Sequence, residues 1–244
     1  MSSDATLTPR TVLITGGSSG IGLAIARRLT ADGHNVAVTF NTSEPPPGLL
    51  AVKCDTTDAT SIDEAIREVE LAPAHGPVEV LVCSAGVTAD QLLMRMSPEA
   101  LEKVLSTNLI GPMLAAQRTL KQMMLRRWGR IIFIGSAAGL RGAAGQTNYA
   151  ASKAGLIGVA RSLAREHGAH GITANVIAPG LTDTAMVSRT LGSDRVTKMI
   201  SEIPVPRIGR PEEVAAAVSW LAGEYSGYVT GQVIAVDGGI GMGH

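Results

Sequence analysis

The stretch from residue 11 to residue 29 constrains the fold of this chain more than any other part of its sequence. The apolar, β-branched run Thr11–Thr15 is typical of a buried strand, a glycine-rich stretch covers residues 16–22, and an apolar helical pattern begins at Leu23. Glycines let the backbone approach a ligand closely, and the free amides and dipole of a helix N-terminus attract a pyrophosphate. The stretch therefore predicts a phosphate-binding turn; the alternative is a glycine-rich connection without a ligand.

Alternating strand and helix patterns continue along the chain without a polar or low-complexity linker. Strands are predicted at residues 11–15, 36–39, 50–52, 80–83, 130–134, 173–177 and 233–236, with helices between most of them. This order predicts the α/β class: a single-domain, Rossmann-type doubly wound parallel sheet of about seven strands, with helices on both faces.

The domain organisation follows from the same pattern. We expect residues 1–10 to form a short N-terminal arm and residues 11–244 one domain, with a lid over the site at about 182–205. Three consecutive prolines, residues 45–47, make the connection at 41–48 unsuited to a helix, so we expect an extended strap there.

Tyr149 and Lys153 lie four residues apart in a helical pattern, so their side chains share one face. A nearby ammonium favours the phenolate, and we therefore expect Lys153 to lower the pKa of Tyr149 from its ordinary value of about 10 toward neutrality. A phenol with such a pKa is suited to acid–base catalysis. On spacing alone, an amphipathic surface helix is the simpler explanation.

The residues after the second predicted strand bear on which dinucleotide the chain binds. A carboxylate there would accept a hydrogen bond from the ribose 2′-hydroxyl of NAD, but residues 40–43 read Phe-Asn-Thr-Ser. The absence of an acid favours NADP (NADPH). Because no arginine stands in the glycine turn or directly after the strand, NAD is not excluded, and the expected donors are all neutral: Ser18, Ser19, Asn41 and Thr42.

The composition argues against several classes of function. Lysine plus arginine and aspartate plus glutamate both number 21, so the formal net charge is zero and general nucleic-acid binding is not indicated. The sequence has no apolar run of about 18 residues, so it predicts no membrane span, and we expect a soluble, cytoplasmic protein. The five histidines lack a paired ligand spacing, and Cys54 and Cys83 stand at predicted strand ends, which predicts buried thiols and no metal site.

Further landmarks accompany the glycine turn and the tyrosine–lysine pair. Asn108 stands in Ser-Thr-Asn-Leu, Ser136 follows the strand at 130–134, and Pro-Gly at 179–180 follows the strand at 173–177. With these landmarks the chain resembles the short-chain dehydrogenase/reductase family over essentially its whole length. The resemblance implies a catalytic set of Asn108, Ser136, Tyr149 and Lys153.

Three stretches are more specific: Leu-Leu-Met-Arg-Met at 92–96, Gly-Gln-Thr-Asn-Tyr-Ala-Ala-Ser-Lys at 145–153, and the glycine-rich ending at 236–244. They resemble the β-ketoacyl-[acyl-carrier-protein] reductases, and the ending especially resembles that of the mycobacterial-type members. Type II polyketide ketoreductases are similar in the same stretches. The resemblance implies NADPH-dependent reduction of a 3-oxoacyl thioester on acyl-carrier protein to the 3-hydroxyacyl thioester, in fatty-acid or polyketide biosynthesis. It also implies a homotetramer.

The resemblance implies roles for individual residues as well. Ser136 would bind the substrate carbonyl, Tyr149 would protonate it, Lys153 would hold the nicotinamide ribose, and Asn108 would hold a relay water. The adenine is expected near residues 55–56 and the nicotinamide near 179–184. The implied cofactor-binding set is Gly16, Ser18, Ser19, Gly20, Ile21, Gly22, Asn41, Asp55, Thr56, Ser84, Ala85, Gly86, Tyr149, Lys153, Pro179, Gly180, Thr182 and Thr184.

Substrate and carrier contacts are implied in the same way. Leu92, Met94, Gln146 and Met186 would contact the substrate. Arg127 and His170 would dock the acyl-carrier protein. For Arg127 the alternative is a helix C-terminus, where cations are favoured in any protein.

Two departures from the family pattern leave alternatives open. Ser84 stands where the family usually has asparagine, which predicts a looser cofactor site, and Ser19 replaces a frequent arginine. A secondary-alcohol dehydrogenase acting on a small free ketone is the alternative enzyme. A catalytically silent dinucleotide-binding regulator is the alternative from another class, although it would have no use for Ser136, Tyr149 and Lys153 together.

Overall fold

A computed structural model describes residues 8–184 and 193–243, with the side chains of residues 193–195 left out. In this part of the chain seven parallel strands form one sheet in the order β3-β2-β1-β4-β5-β6-β7. The strands are β1 (Thr11–Thr15), β2 (Asn35–Phe40), β3 (Leu50–Lys53), β4 (Val80–Cys83), β5 (Gly129–Ile134), β6 (Ile172–Pro179) and β7 (Val233–Val236). The predicted α/β class is confirmed.

Helices cover both faces of the sheet. They are α1 (Gly20–Ala31), α2 (Ala59–Leu71), α3 (Pro98–Leu105), α4 (Gly111–Arg126), α5 (Ala137–Arg141), α6 (Thr147–His167), α7 (Ser193–Ser201) and α8 (Pro211–Ala222). Successive strand residues point to opposite faces, so Leu13 joins a core with α2, α4 and α6, whereas Val12 and Ile14 join a core with α1 and α8. The doubly wound arrangement therefore rests on two separate apolar cores.

The connection between β2 and β3 contains no helix, as its prolines predict. The two strands nevertheless run parallel, with Ala37 opposite Leu50 and Phe40 opposite Lys53. Parallel neighbours usually need a crossover of a dozen or more residues. Residues 41–49 instead return as an extended strap, which leaves the carboxyl end of β2 open to the site described below.

The strand order reverses at β1, which pairs with β2 on one side and with β4 on the other. Crossover connections leave this point in opposite directions, so a crevice opens at the carboxyl ends of the strands there. Within residues 8–184 and 193–243, no helix is long and apolar enough to cross a membrane.

Candidate active site

A cavity of about 680 Å³ opens at the carboxyl edge of the sheet. The loops that follow β1 to β6 all contribute to its walls. The volume lies within the range of ordinary ligand sites. Each residue of the implied cofactor-binding set lines this cavity, from Gly16 in the first loop to Thr184 in the last.

The glycine turn leaves backbone room for a ligand. Gly16 has φ +67°, and a Cβ on Gly22 would lie 2.4 Å from the Gly16 carbonyl oxygen. Helix α1 begins at Gly20, its N-cap Ser19 makes no side-chain capping bond, and its first turn carries no acid. The first amides of α1 therefore face the cavity as an uncapped anion site, which fits a dinucleotide pyrophosphate.

The end of the cavity beside β2 is lined by hydroxyl groups. The Thr39 hydroxyl accepts a hydrogen bond from the Gly16 amide at 3.1 Å, and the hydroxyls of Ser18 and Ser43 lie 2.7 Å apart. Asn41, on the strap, also lines the cavity, and no arginine lines it among the residues that the structure describes. The neutral character predicted for this end is present in the structure.

Asp55 is the acid among the described residues of the cavity wall, and its carboxylate is already engaged. It accepts hydrogen bonds from the Thr57 amide at 2.9 Å and from the Thr57 hydroxyl at 2.7 Å. The side-chain bond from Thr57 is the main reason that the pKa of Asp55 lies below its ordinary value. The carboxylate thus shapes the loop after β3.

Lys153 is buried on α6 at the floor of the cavity. Its ammonium donates a hydrogen bond to the Ile134 carbonyl oxygen at 2.8 Å, where β5 ends. Burial lowers the pKa of Lys153 to about 8, because the charged form has lost its water. The same burial raises the pKa of the neighbouring Cys83 thiol to about 12, so the thiol stays neutral.

Tyr149 does not have the lowered pKa that the helical spacing predicts. Burial raises its pKa above the ordinary value, the Ser136 hydroxyl opposes this with a hydrogen bond, and the charge of Asp90 adds to the rise. The Lys153 nitrogen lies 5.7 Å from the centroid of the Tyr149 ring and is directed to Ile134. The raised pKa favours the neutral phenol, the form that can donate a proton.

Ser136 is the N-cap of the short helix α5. Its hydroxyl accepts a hydrogen bond from the Ala138 amide at 3.1 Å, which is ordinary capping geometry. The cap fixes the hydroxyl at the carboxyl end of β5, beside Tyr149. The same hydroxyl can therefore cap α5 and act in catalysis, so the two interpretations of Ser136 are compatible.

Asn108 lies behind Lys153, in a single π turn (Ser106–Ile110) between α3 and α4. Its amide exchanges two hydrogen bonds with the Val87 main chain, at 2.8 and 2.9 Å. A Cβ on Gly86 would lie 3.4 Å from the Asn108 oxygen and 3.5 Å from the Lys153 nitrogen. Asn108 thus holds the loop after β4 against the floor of the site, and its side chain has little capacity left to bind a relay water.

Of the residues implied in substrate contact, Leu92, Met94 and Gln146 do not line this cavity. Gln146 donates a hydrogen bond to the Asp90 carboxylate at 2.8 Å. Leu92 and Met94 stand beside this pair along the chain and are 54% and 85% exposed. Met186 lies outside the described residues.

The implied docking residues lie at the opposite edge of the sheet. Arg127 ends α4 just before β5, and a nitrogen of its guanidinium donates to the Ala169 carbonyl oxygen at 3.0 Å. His170 follows Ala169 directly, before β6. The structure therefore brings these two residues together, but away from the cavity of their own chain.

Some residues of the cavity wall were not predicted. Lys103, on α3, is the most informative, because it adds an exposed cation to the rim. No sequence motif marks it. Most of the others extend predicted strands or loops by one or two positions, and the carboxyl-edge rule could have found them: Phe40, Ser43, Cys54, Thr57, Val87, Ile134 and Gly135.

Comparison with known proteins decides the family. A family model described as "Enoyl-(Acyl carrier protein) reductase" matches residues 16–241. The 3-oxoacyl-[acyl-carrier-protein] reductase MabA of Mycobacterium tuberculosis is 53% identical, over 96% of this chain and 94% of its own length. The chain belongs to the short-chain dehydrogenase/reductase family.

A more distant relative agrees. The 3-oxoacyl-[acyl-carrier-protein] reductase FabG of Escherichia coli is 40% identical, over 94% of this chain and 96% of its own length. The predicted resemblance to β-ketoacyl-[acyl-carrier-protein] reductases is confirmed. Members of the short-chain dehydrogenase/reductase family are oxidoreductases that use a nicotinamide dinucleotide, and the cavity of this chain has a glycine turn and a volume that fit such a cofactor.

Proposed function

We propose that this chain reduces 3-oxoacyl thioesters on acyl-carrier protein to 3-hydroxyacyl thioesters, with NADPH as the reductant, in fatty-acid synthesis or a related pathway. The observation that carries the proposal is that Ser136, Tyr149 and Lys153 line the same cavity as the uncapped N-terminus of α1. The names of the relatives support the substrate class.

The cofactor lies across the carboxyl edge in this proposal. The first amides of α1 would hold the pyrophosphate, the strap and Asp55 would flank the adenosine, and residues 179–184 would flank the nicotinamide. When bound, NADPH supplies a hydride to the carbonyl carbon of the substrate. Ser18, Ser43 and Asn41 offer neutral donors to the 2′-phosphate, so we expect a preference for NADPH that is modest in size.

The catalytic side chains act on the carbonyl oxygen. The Ser136 hydroxyl donates a hydrogen bond to this oxygen, and Tyr149 transfers its proton to it as the negative charge develops. Lys153, whose ammonium is buried at the floor of the cavity, would hold the nicotinamide ribose. Asn108 acts as a positioning residue, because its amide is bonded to Val87.

The carrier protein and a homotetramer belong to the same proposal. Arg127 and His170 lie near the amino ends of β5 and β6, so a carrier protein docked there would deliver its thioester to the cavity of another copy. Exposed apolar side chains on the π turn and α4, Ile110 and Met113, are available for contact between copies.

Product analysis tests the proposal. The purified protein is mixed with NADPH and either acetoacetyl-carrier protein, the acetoacetyl thioester of a short pantetheine mimic, a free ketone, or a 2-enoyl thioester. We expect the 3-hydroxyacyl product by mass spectrometry, with the carrier-bound substrate favoured in kcat/KM. The 2-enoyl thioester is included because the matching family model is described as an enoyl reductase. Ser136 and Tyr149 act on a carbonyl oxygen in this proposal, so we expect the enoyl thioester to be left unreduced.

Two outcomes would overturn this assignment. Reduction of the free ketone in preference to both thioesters would make the chain a small-ketone dehydrogenase. Tight NADPH binding without reduction of any substrate would make it a regulator.

The variant Arg127→Ala tests the docking of the carrier protein. It should raise KM for the carrier-bound substrate and leave KM for the pantetheine mimic unchanged.

A further inference from the structure

Lys103 is an exposed cation on the wall of the cavity at the carboxyl edge. It lies on α3, one helical turn before Thr107 in the π turn, and both side chains line the cavity. The start of α4 packs against the loop after β3, since a Cβ on Gly111 would lie 2.3 Å from the Thr56 carbonyl oxygen. Lys103 therefore belongs to the end of the cavity where we expect the adenosine.

The Lys103 ammonium makes no hydrogen bond and no ion pair within the part of the chain that the structure describes. Glu99 stands four residues earlier on α3, at a spacing that often forms an ion pair. Its carboxylate is instead engaged at the start of the helix, where hydrogen bonds from its own amide and from the Ser97 hydroxyl lower the pKa of Glu99. The charge of Lys103 is thus left available to a ligand.

Three charged side chains line the described part of the cavity: Asp55, Lys103 and Lys153. Lys153 is buried at the floor and donates to the Ile134 carbonyl oxygen, whereas the Asp55 carboxylate is bonded to Thr57. Because Lys153 and Asp55 have opposite charges, they offset each other at a distance. Lys103 supplies the positive charge that remains.

We propose that Lys103 attracts the phosphate groups of the dinucleotide into the cavity and so raises the rate at which the cofactor binds. The inference rests on the proposed function for the identity of this ligand. A cleft lined by an excess of one charge concentrates ligands of the opposite charge, and a charge on the rim acts mainly on the association rate. The neutral donors near β2 cannot act in this way, because a hydrogen bond has short range.

The attraction does not require a direct bond between Lys103 and one phosphate. Every phosphate bound in a cavity of about 680 Å³ lies within the Debye length of about 30 Å at 10 mM salt. At 150 mM salt this length is about 8 Å, and the attraction is largely screened. A lysine ammonium is strongly hydrated and stands on a flexible stem, which suits attraction through solvent. Dependence on salt is therefore the signature of this role.

Stopped-flow fluorescence tests the inference without any substrate. NADPH is mixed with the protein at salt concentrations from about 10 to about 500 mM, and its fluorescence gives the association and dissociation rate constants. Lys103→Met removes the charge and keeps an unbranched stem. At about 10 mM salt its association rate constant should be about fivefold below wild type, and at about 150 mM within about twofold, while the dissociation rate constant stays within about twofold.

Three further variants control for the sign and place of the charge. Lys103→Arg keeps the charge and should associate at nearly the wild-type rate, whereas Lys103→Glu reverses it and should associate more slowly than Lys103→Met. Lys121→Met removes an exposed cation of α4, outside the described wall of the cavity. It changes the net charge of the chain by the same amount and should leave the association rate constant in place.

NADH identifies the phosphate that is attracted. NADPH carries a 2′-phosphate, with a charge of about −1.5 to −2, in addition to the pyrophosphate that NADH also carries. We expect Lys103→Met to slow the association of NADH less than that of NADPH. An equal fall for both dinucleotides would also support the inference, and it would assign the attraction to the pyrophosphate.

A wild-type association rate constant for Lys103→Met at about 10 mM salt would overturn the inference, as would an equal fall in Lys121→Met. A loss of affinity confined to the dissociation rate constant would overturn it too, because it would make Lys103 a short-range contact. If NADPH binds but no thioester is reduced, the proposed function fails and the rate constants still decide the inference. If neither dinucleotide binds, both fail.

Discussion

The two edges of the one parallel sheet handle charge in opposite ways. At the amino edge, Arg10 pairs with Glu79 at 2.8 Å and with Glu224 at 2.6 Å. The Trp128 ring lies between two guanidiniums, 4.0 Å from that of Arg10 and 4.4 Å from that of Arg130. Cations, acids and an aromatic face thus pair with one another at this edge.

At the carboxyl edge a cation, Lys153, is buried without a carboxylate partner among the residues that the structure describes. Lys153 is 5% exposed, and its hydrogen bond goes to a main-chain oxygen. The first amides of α1 have no side-chain cap, and Tyr149 is held as a phenol beside Ser136. Buried charges and uncapped amides destabilise a fold, but they can bind a ligand or react. The amino edge of the sheet therefore serves stability, and the carboxyl edge serves function.

A matched pair of glycines gives the largest expected contrast. A Cβ on Gly22 would lie 2.4 Å from the Gly16 carbonyl oxygen, and one on Gly171 would lie 2.4 Å from the Arg127 carbonyl oxygen. Gly22→Ala should therefore weaken NADPH binding by about 100-fold, roughly 3 kcal/mol, because the phosphate turn must shift. Gly171→Ala should lower the free energy of unfolding by a similar amount while leaving NADPH affinity unchanged.

Fluorescence titration of NADPH and urea unfolding of both variants make this measurement. Equal loss of NADPH affinity in the two variants would remove the distinction between the edges.

Trp128→Ala probes the amino edge alone. Removing the ring between two guanidiniums should lower the free energy of unfolding by about 2–3 kcal/mol, with kcat unchanged at temperatures where the protein is folded. Trp128→Phe is the control, because it keeps an aromatic face and loses the hydrogen bond from the indole to Glu224 at 3.3 Å. A fall in kcat for Trp128→Ala at full folding would show that the two edges are coupled.

Lys153→Met tests the cost of the buried cation in the cofactor-free protein. The pKa of Lys153 is about 8 in the folded chain, against an ordinary 10.5. This difference means that keeping the ammonium buried lowers the free energy of unfolding by about 3 kcal/mol below pH 8. Loss of the bond to Ile134 offsets about 1 kcal/mol, so the variant should be more stable than wild type by about 2 kcal/mol at pH 7.

The pH dependence of stability has the opposite sign to that expected for a lysine paired with a carboxylate. Between pH 8 and 10.5 the folded wild type has released the proton that the unfolded chain still binds, so wild-type stability rises and the gap to Lys153→Met closes. Lys121→Met, at an exposed position on α4, should show no such pH dependence. A gap that stays constant from pH 7 to pH 10 would contradict a lowered pKa for Lys153.

Asn41→Asp gives the smallest expected effect and tests the neutral end of the cavity. A carboxylate there should repel the 2′-phosphate and lower the ratio of kcat/KM for NADPH to that for NADH by about tenfold, or about 1.4 kcal/mol. Asn41→Ser keeps the position neutral and should leave the ratio near the wild-type value. An unchanged ratio in Asn41→Asp would place the 2′-phosphate elsewhere.

Local pattern was sufficient to predict the sheet and to bring the residues expected at the dinucleotide end around one cavity. Strands β1, β4 and β7 have the predicted bounds, and β6 extends two residues beyond the predicted Ile177 because Ala178 and Pro179 pair with β7. The glycine turn and the carboxyl-edge rule act through the backbone, which a sequence pattern encodes directly. That residues 11–244 form one domain, with a lid at about 182–205, stays a prediction.

Side-chain partners that come from distant segments could not be predicted. Spacing placed Lys153 near the Tyr149 ring, but the Ile134 carbonyl oxygen that receives its hydrogen bond lies 19 residues away in the chain. The bridge from Gln146 spans 56 residues to Asp90. The pKa of Tyr149 is raised chiefly by burial of its ring, which depends on packing between distant segments, and this is why the predicted direction of its pKa was wrong.

The most direct test of the central claim, that the carboxyl edge is where reduction occurs, compares Tyr149→Phe with wild type. Both are brought to equal NADPH occupancy, and NADPH oxidation is followed after addition of acetoacetyl-carrier protein. The change removes the proton donor and almost no volume, so we expect NADPH affinity to be retained and turnover to fall by about 100-fold or more. Turnover within a few-fold of wild type at equal occupancy would contradict the account.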